Sequence, residues 1–383
     1  MDTKFHSRLF ALCACVFLDC LTVGISLGTI PAFVHGTLEF SNLVVGLTIG
    51  LLSLVTVATR HFSGTFCDMR GSRKAVVYGS LITAAAGLAY VAGAVWQSLA
   101  AFLAGRVLQG LGESLFVTGA LAWGVGMAGH QRTGKVMAWV GIAIYAAMAG
   151  GAPLGSALAH IGAAASPVWA FALVVVAPVL GLAFITKLPV MEPSGGARLP
   201  FYRVMGLVGR SGTGLALATV GFCCLASFAG LYFAQNGWAG ASLALTVFGT
   251  GYILVRLVGA HWPDRFGGRR VVLGSLAVEV AGLLCLWLAP TAGVALAGAG
   301  LTGLGFSLVF PGFGVEAVKQ VAPQNRGVAL GGYVVFFDLS LGVTAPLAGW
   351  VAGTSGYAPV FALGAAGAML SALLALTLRR NKP

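Results

Sequence analysis

Long apolar runs and short polar connections alternate along the whole chain. Each run holds about 20 residues or more, which is the length an α-helix needs to cross the hydrocarbon core of a bilayer. None has the strict alternation of a barrel strand, whose membrane segment is about 10 residues long. The pattern therefore predicts transmembrane helices. We expect twelve of them, at residues 8–33, 41–66, 74–95, 99–126, 134–160, 166–188, 211–234, 241–263, 270–289, 293–318, 326–352 and 356–379.

Composition supports a membrane-embedded protein. Of 383 residues, 58% are hydrophobic and 8% are charged, whereas about a quarter of the residues in a soluble domain are charged. The net charge of +12 comes from short clusters between apolar runs, with no basic face for a nucleic acid. The seven cysteines lie mostly inside apolar runs without a CxxC pair. We expect no metal, no cofactor and no nucleic-acid partner.

The basic residues predict the orientation. All but three of the 22 lysines and arginines fall at the two termini or in every second connection. The exceptions are Arg60, Arg106 and Arg256. Cytoplasmic connections carry an excess of bases, so both termini are predicted to be cytoplasmic. The longest polar stretch lies at the chain midpoint. We expect an N-terminal six-helix bundle at 1–188, a cytoplasmic linker at 189–210 and a C-terminal six-helix bundle at 211–383.

One ionic cluster occurs twice. The stretch GTFCDMRGSRK (64–74) follows the second apolar run, and AHWPDRFGGRR (260–270) follows the eighth. Asp68 aligns with Asp264, and Gly71 with Gly267. Downstream pairs such as Gly112 and Gly305 repeat at a slightly shorter spacing. Two similar halves are typical of transporters in which one bundle moves against the other.

These motifs resemble the major facilitator superfamily over the whole chain. Residues 64–74 are similar to its signature between helices 2 and 3, with Met69 where a base is common. RVLQG (106–110) resembles its R-x-x-Q-G motif, and GGAPLG (150–155) resembles its antiport motif, with Ala152 replacing a glycine. Within the family, LTVGISLGTIPAFV and GLGESLFVTGALAWGVG are similar to bacterial arabinose-efflux-like or drug-efflux-like permeases. The resemblance implies an all-α fold of two pseudo-symmetric six-helix bundles, with the first and fourth helices of each bundle lining a central cavity.

Ionisable residues deep in the membrane are the main candidates for chemistry, because burying them is costly without a partner. Asp19 lies about 15 Å into the first span. Arg106, Gln109 and Glu113 share a face of the fourth. A carboxyl group that exchanges a proton beside a fixed arginine can couple transport to a proton gradient. The alternative is a static ion pair that joins the two helices.

The second half has different candidates. Asp338 lies at mid-depth in the eleventh span, where Tyr145 falls in the fifth. Both are expected to border the cavity. Phe306 stands where an acid would match Glu113, so the coupling chemistry is expected in the first half. Glu279, in the ninth span, is expected to be structural.

The loop clusters are expected to form a cytoplasmic gate whose ion pairs join helix ends in one conformation and separate in another. The alternative is that the bases only enforce topology. The gate residues are Arg60, Gly64, Asp68, Arg70, Gly71, Arg73, Lys74, Asp264, Arg269 and Arg270. A hinge is expected at Gly151, Pro153 and Gly155, although close helix packing explains such glycines equally well.

The leading hypothesis is a proton-coupled efflux carrier of small organic solutes in a bacterial cytoplasmic membrane, acting as a multi-pass monomer whose partners are substrate, protons and lipid. The alternative is a symporter or facilitator that imports a nutrient. No clustered nucleophile or metal set indicates an enzyme.

Overall fold

The computed structural model describes residues 3–128, 133–159, 166–186, 188–190, 201–318 and 326–378. Within these ranges every regular element is a helix, as expected for a chain whose backbone groups must find partners without water. In the first half they are α1 (Thr3–Ala32), α2 (Asn42–Arg70), α3 (Ser72–Val95), α4 (Leu99–Ala128), α5 (Thr133–Ala159) and α6 (Val168–Ile185). A π-helical turn, Phe33–Thr37, extends α1.

The second half continues this architecture. Its helices are α7 (Phe201–Gln235), α8 (Leu243–Gly259), α9 (Trp262–Phe266), α10 (Gly268–Trp287), α11 (Ala292–Phe306), α12 (Val309–Val318), α13 (Arg326–Ser355) and α14 (Ala358–Leu376). The helix α7 begins at Phe201, so the last part of the predicted linker is helical. Residues 191–200 of that linker lie outside the described residues.

Ten segments among the described residues are long and apolar enough to cross a membrane, and α8 is a shorter apolar helix. The 30-residue helix α4 is not among the ten. Arg106, Gln109 and Glu113 lower its hydropathy, although its length is ample for a bilayer. The all-α membrane fold is thus confirmed, while the count of twelve spans and the cytoplasmic termini stay predictions.

The predicted tenth span contains a break. A turn at Ser307 and Leu308 separates α11 from α12. Pro311 explains its place, because proline has no N–H to donate to the carbonyl of Ser307 and its ring clashes with that carbonyl. The Ser307 hydroxyl donates to the carbonyl of Tyr252 on α8 at 2.7 Å, which fixes the turn against a neighbouring helix.

The chain forms two compact units. Unit 1 comprises Met1–Phe40 and Leu51–Gly195, and unit 2 comprises Ser41–Gly50 and Gly196–Pro383. In unit 1, α3 packs on α4 and α6, and α1 packs on α5 and α6. In unit 2, α7 packs on α13 and α14, and α10 packs on α11 and α14. The first turns of α2 therefore group with unit 2 and the rest of that helix with unit 1, a division that the predicted bundles did not include.

Candidate functional site

Gln109 on α4 is the centre of a buried polar network in unit 1. Its Oε1 accepts hydrogen bonds from the Tyr90 hydroxyl at 2.6 Å and from Arg106 Nη1 at 3.2 Å. Its Nε2 donates to Thr22 Oγ1 at 3.2 Å. Gln109 and Tyr90 are fully buried, and Arg106 is 2% exposed. The amide thus holds the guanidinium in a fixed place between three helices.

Asp19 belongs to the same network. It is buried on α1, and its Oδ1 accepts a hydrogen bond from Ser80 Oγ on α3 at 3.0 Å. The Thr22 hydroxyl, one turn later, donates to the carbonyl oxygen of Asp19 at 2.7 Å. Asp19 therefore joins the network through its main-chain carbonyl, which accepts from Thr22, while its carboxylate accepts from Ser80. Asp19, Gln109 and Arg106 are thus linked in the structure, and their role in proton coupling stays a prediction.

Glu113 lies one turn after Gln109 on α4 and is half-buried. Glu113 on α4 and Asp19 on α1 belong to the same unit as Arg106, and like charges inside one site disfavour each other. Two acids and one arginine change their total charge when a single proton binds. Such a site can link protonation to a rearrangement of α1 against α4, which is the chemistry that coupling needs.

Glycines bring α1 and α5 into close contact beside this network. A Cβ on Gly151 would lie 2.8 Å from the carbonyl oxygen of Leu21, and one on Gly155 would lie 2.7 Å from that of Ile25. From the other side, a Cβ on Gly28 would overlap the backbone of Ala152. Small residues allow helices to approach this closely in a membrane.

The close packing of α1 on α5 involves the same glycines as the predicted hinge. Pro153 lies inside α5, which runs without interruption over Thr133–Ala159. The glycines at Gly151 and Gly155 are needed for packing against α1, and the hinge role stays a prediction. Gly28 also leaves room for the backbone at Ala152, the position where this chain departs from the antiport motif.

The two loop glycines have the same backbone conformation. Gly71 has φ 86° and ψ 151°, and Gly267 has φ 86° and ψ 139°. Each precedes the first residue of a helix, α3 or α10. Side chains with a Cβ rarely adopt this region, whereas glycine adopts it readily. The repeated motif therefore produces the same turn in both units.

The charged members of the motif surround these turns. Arg60, Gly64 and Asp68 are half-buried on one face of α2, and Arg269 is half-buried at the start of α10. The side chain of Asp264 lies outside the described residues. The remaining bases of the predicted gate are solvent-exposed, namely Arg70, Arg73, Lys74 and Arg270. Their role as a gate stays a prediction.

Asp338 and Tyr145 lie on helices other than α1, α3 and α4. Asp338 is buried on α13 of unit 2, and Tyr145 is half-buried on α5 of unit 1. Conversely, sequence reasoning missed Ser80, Thr22 and Tyr90. Uncharged polar residues are common in apolar helices, and no pattern in the chain distinguishes these three from serines and threonines that bond only to their own helix.

Comparison with known proteins identifies the family. The profile of the Major Facilitator Superfamily matches residues 12–238 and 212–383. The chain belongs to this superfamily. An uncharacterized MFS-type transporter of Salmonella typhimurium is 41% identical over 378 residues, covering 97% of each chain. One from Burkholderia mallei is 43% identical over 379 residues, covering 96% of this chain and 92% of the relative.

Solved structures of the superfamily share the fold. The human organic anion transporter MFSD10 (TETRAN) superposes with a TM-score of 0.74 at 16% identity, over 97% of this chain and 99% of that one. A mutant of the nucleoside transporter NupG superposes with a TM-score of 0.79 at 14% identity, over 97% and 100%. At these identities the likeness shows the fold alone. The protein is a multi-pass membrane transporter of the Major Facilitator Superfamily with bacterial relatives.

Proposed function

We propose that this transporter is a proton-coupled efflux carrier of small organic solutes, which works by alternating access in a bacterial cytoplasmic membrane. The observation that carries the proposal is the buried carboxyl group of Asp19, bound by Ser80, on a helix that also contributes Thr22 to the network of Gln109 and Arg106. An ionisable group inside the membrane is rare and is usually functional. Here one acid and one base share a single network on helices of one unit.

The network suggests a division of work. Gln109 and Tyr90 keep Arg106 in place, so its positive charge is constant through the cycle. Asp19 and Glu113 are the groups whose charge changes. When one of them binds a proton, the attraction to Arg106 and the repulsion between the acids both weaken, and α1 is released from α4. Substrate and proton then bind alternately, which is the basis of antiport.

A second function rests on Ala152. This residue replaces a glycine of the antiport motif. Gly28 lies close to the Ala152 backbone, so α1 and α5 pack tightly at this point. Tight packing there is compatible with a symporter or facilitator that imports a nutrient. The direction of proton movement separates the two functions.

The experiment uses inside-out membrane vesicles whose interior is acidified by respiration and monitored with a pH-sensitive dye. Wild type, Asp19→Asn and Glu113→Gln are challenged with nucleosides, organic anions, sugars and cationic drugs. Glu39→Gln is the matched control, because Glu39 is exposed and outside the helices. We expect one compound class to collapse the gradient in wild type and Glu39→Gln, but not in the two buried-acid variants.

Two results would contradict the proposal. Substrate-induced acidification of the interior would indicate symport. Equilibration of a labelled compound without any proton movement, at equal rates in wild type and Asp19→Asn, would indicate a facilitator in which the buried acids are structural.

A further inference from the structure

Glu279 is a buried acid that the network of unit 1 does not use. It lies near the middle of α10, and its side chain is fully buried. Among the residues that the structure describes, neither carboxylate oxygen has a hydrogen-bond partner. The sequence predicted a structural partner for Glu279, and none is present within the described ranges.

Two glycines create the space that Glu279 occupies. A Cβ on Gly221 of α7 would lie 3.0 Å from Glu279 Oε1 and 2.6 Å from Leu283 Cδ1. On the other side, a Cβ on Gly305 of α11 would meet the backbone nitrogen and Cα of Glu279. The carboxyl group therefore lies beside Gly221 of α7 in the interior of unit 2, while the backbone of Glu279 packs on α11.

Among the described residues, no basic side chain donates a hydrogen bond to Glu279. Of the helices that pack on α10, α11 and α14 have no titratable side chain in their sequences. On α10 itself, Arg270 lies about 14 Å before Glu279 along the axis. Glu316 of α12 lies at the start of α10, beside Gly268. The other titratable groups on α7, α9 and α10 are Tyr202, Arg203, Arg210, Cys223, Cys224, Tyr232, Asp264, Arg265, Arg269 and Cys285.

The internal repeat relates this position to the network of unit 1. Thr83 and Glu279 stand at the same distance after the turn glycines Gly71 and Gly267. In unit 1, a Cβ on Gly112 would lie 2.5 Å from Thr83 Oγ1, and Gly305, its repeat partner, packs on Glu279. Thr83 is one turn from Ser80, the donor to Asp19. By the internal repeat, Glu279 in unit 2 thus corresponds to Thr83 in unit 1, which lies one turn from the serine that donates to Asp19.

A carboxylate without a partner is strongly unfavourable in such an interior, whereas the neutral acid is tolerated. An apolar side chain would fill the same space at lower cost, so the presence of an acid indicates a use for its proton. We propose that Glu279 is a proton-binding site of unit 2, neutral in this conformation and exchanging its proton with water in another conformation of the transport cycle. The inference rests on the proposed proton coupling and adds to it an acid in unit 2.

The test is infrared spectroscopy of the purified full chain in liposomes, without substrate. A neutral carboxylic acid gives a C=O stretching band that disappears when the acid ionises and shifts when its proton is replaced by deuterium. We expect such a band in wild type and in the exposed-site control Glu39→Gln, and its loss in Glu279→Gln. Raising the pH is expected to remove the band reversibly, with the helical amide band unchanged.

A second variant protects the test against misfolding of Glu279→Gln. Gly221→Ala places a methyl group 3.0 Å from Glu279 Oε1 and is expected to shift the frequency of the band without removing it. Two results would overturn the proposal: the same spectrum in wild type and in a folded Glu279→Gln, or a band that neither exchanges with deuterium nor disappears before the protein unfolds. Because no substrate is used, failure here is distinct from failure of the vesicle assay.

Discussion

The network around Gln109 predicts two very different costs for two substitutions of similar size. Tyr90→Phe removes the hydrogen bond from the Tyr90 hydroxyl to Gln109 Oε1. The oxygen keeps its bond from Arg106 Nη1, so no buried group loses its last partner there. Hydrogen bonds between membrane helices contribute about 0.6 kcal/mol on average and about 1.7 kcal/mol at most. We expect Tyr90→Phe to lower the free energy of unfolding by about 1 kcal/mol.

Gln109→Leu removes three bonds at once, those from Tyr90, from Arg106 and to Thr22. It leaves the buried Tyr90 hydroxyl without its acceptor, and an orphaned donor costs about 1–3 kcal/mol in addition to the lost bonds. We therefore expect a loss of about 2–5 kcal/mol, which is a large part of the 5–15 kcal/mol of a typical domain. Leucine has nearly the volume of glutamine, so a cavity is not the cause.

The assay is reversible unfolding of the purified protein in mixed detergent micelles, monitored through the loss of the helical circular dichroism signal. The double variant Tyr90→Phe/Gln109→Leu serves as the control. Its cost is expected to be smaller than that of Gln109→Leu alone, because phenylalanine has no hydroxyl to orphan. Equal costs for the two single variants, or a neutral Gln109→Leu, would refute the network as a source of stability.

Three further predictions concern residues other than Gln109. Gly151→Ala is expected to reduce expression and thermal stability, because its Cβ would lie 2.8 Å from a backbone oxygen of α1. Gly150→Ala is the control: its Cβ would meet nothing within 4 Å, so it is expected to match wild type in thermal unfolding. Gly71→Ala is expected to cost about 1–3 kcal/mol, because φ is 86° and ψ is 151° there; unchanged unfolding would contradict this. Ser80→Ala removes the donor to Asp19 Oδ1 and is expected to slow proton-driven flux more than substrate exchange, a difference absent if Ser80 only packs.

The sequence predicted the charged members of the site because charge in an apolar run is conspicuous. Asp19, Arg106 and Glu113 could be found in this way, and Gln109 through its helical spacing. Their partners could not be found, because Ser80 and Tyr90 lie on another helix. Their contact with α1 and α4 depends on the rotation of α3 about its axis, which polarity alone does not fix.

Residue type alone indicates the glycine turns of this chain but not its helix break. Gly71 and Gly267 align in the repeated motif between apolar runs, and both have a backbone conformation that favours glycine. The break before Pro311 was not expected, since membrane helices often contain proline without interruption: Pro153 and Pro346 lie inside continuous helices. What separates these cases is tertiary, because the Ser307 hydroxyl has an acceptor on α8. The role of Glu279 was missed for a similar reason, as its environment depends on glycines of two other helices.

The central claim is that Asp19 carries the proton that drives transport. The most direct test compares two fluxes of the compound identified in vesicles, using purified protein in liposomes. One flux is driven by a pH gradient, and the other is exchange of labelled for unlabelled compound at equal pH. Asparagine keeps the acceptor for Ser80 but cannot ionise, so Asp19→Asn is predicted to abolish the driven flux and to retain exchange. Equal loss of both fluxes, or an unchanged driven flux, would contradict the account.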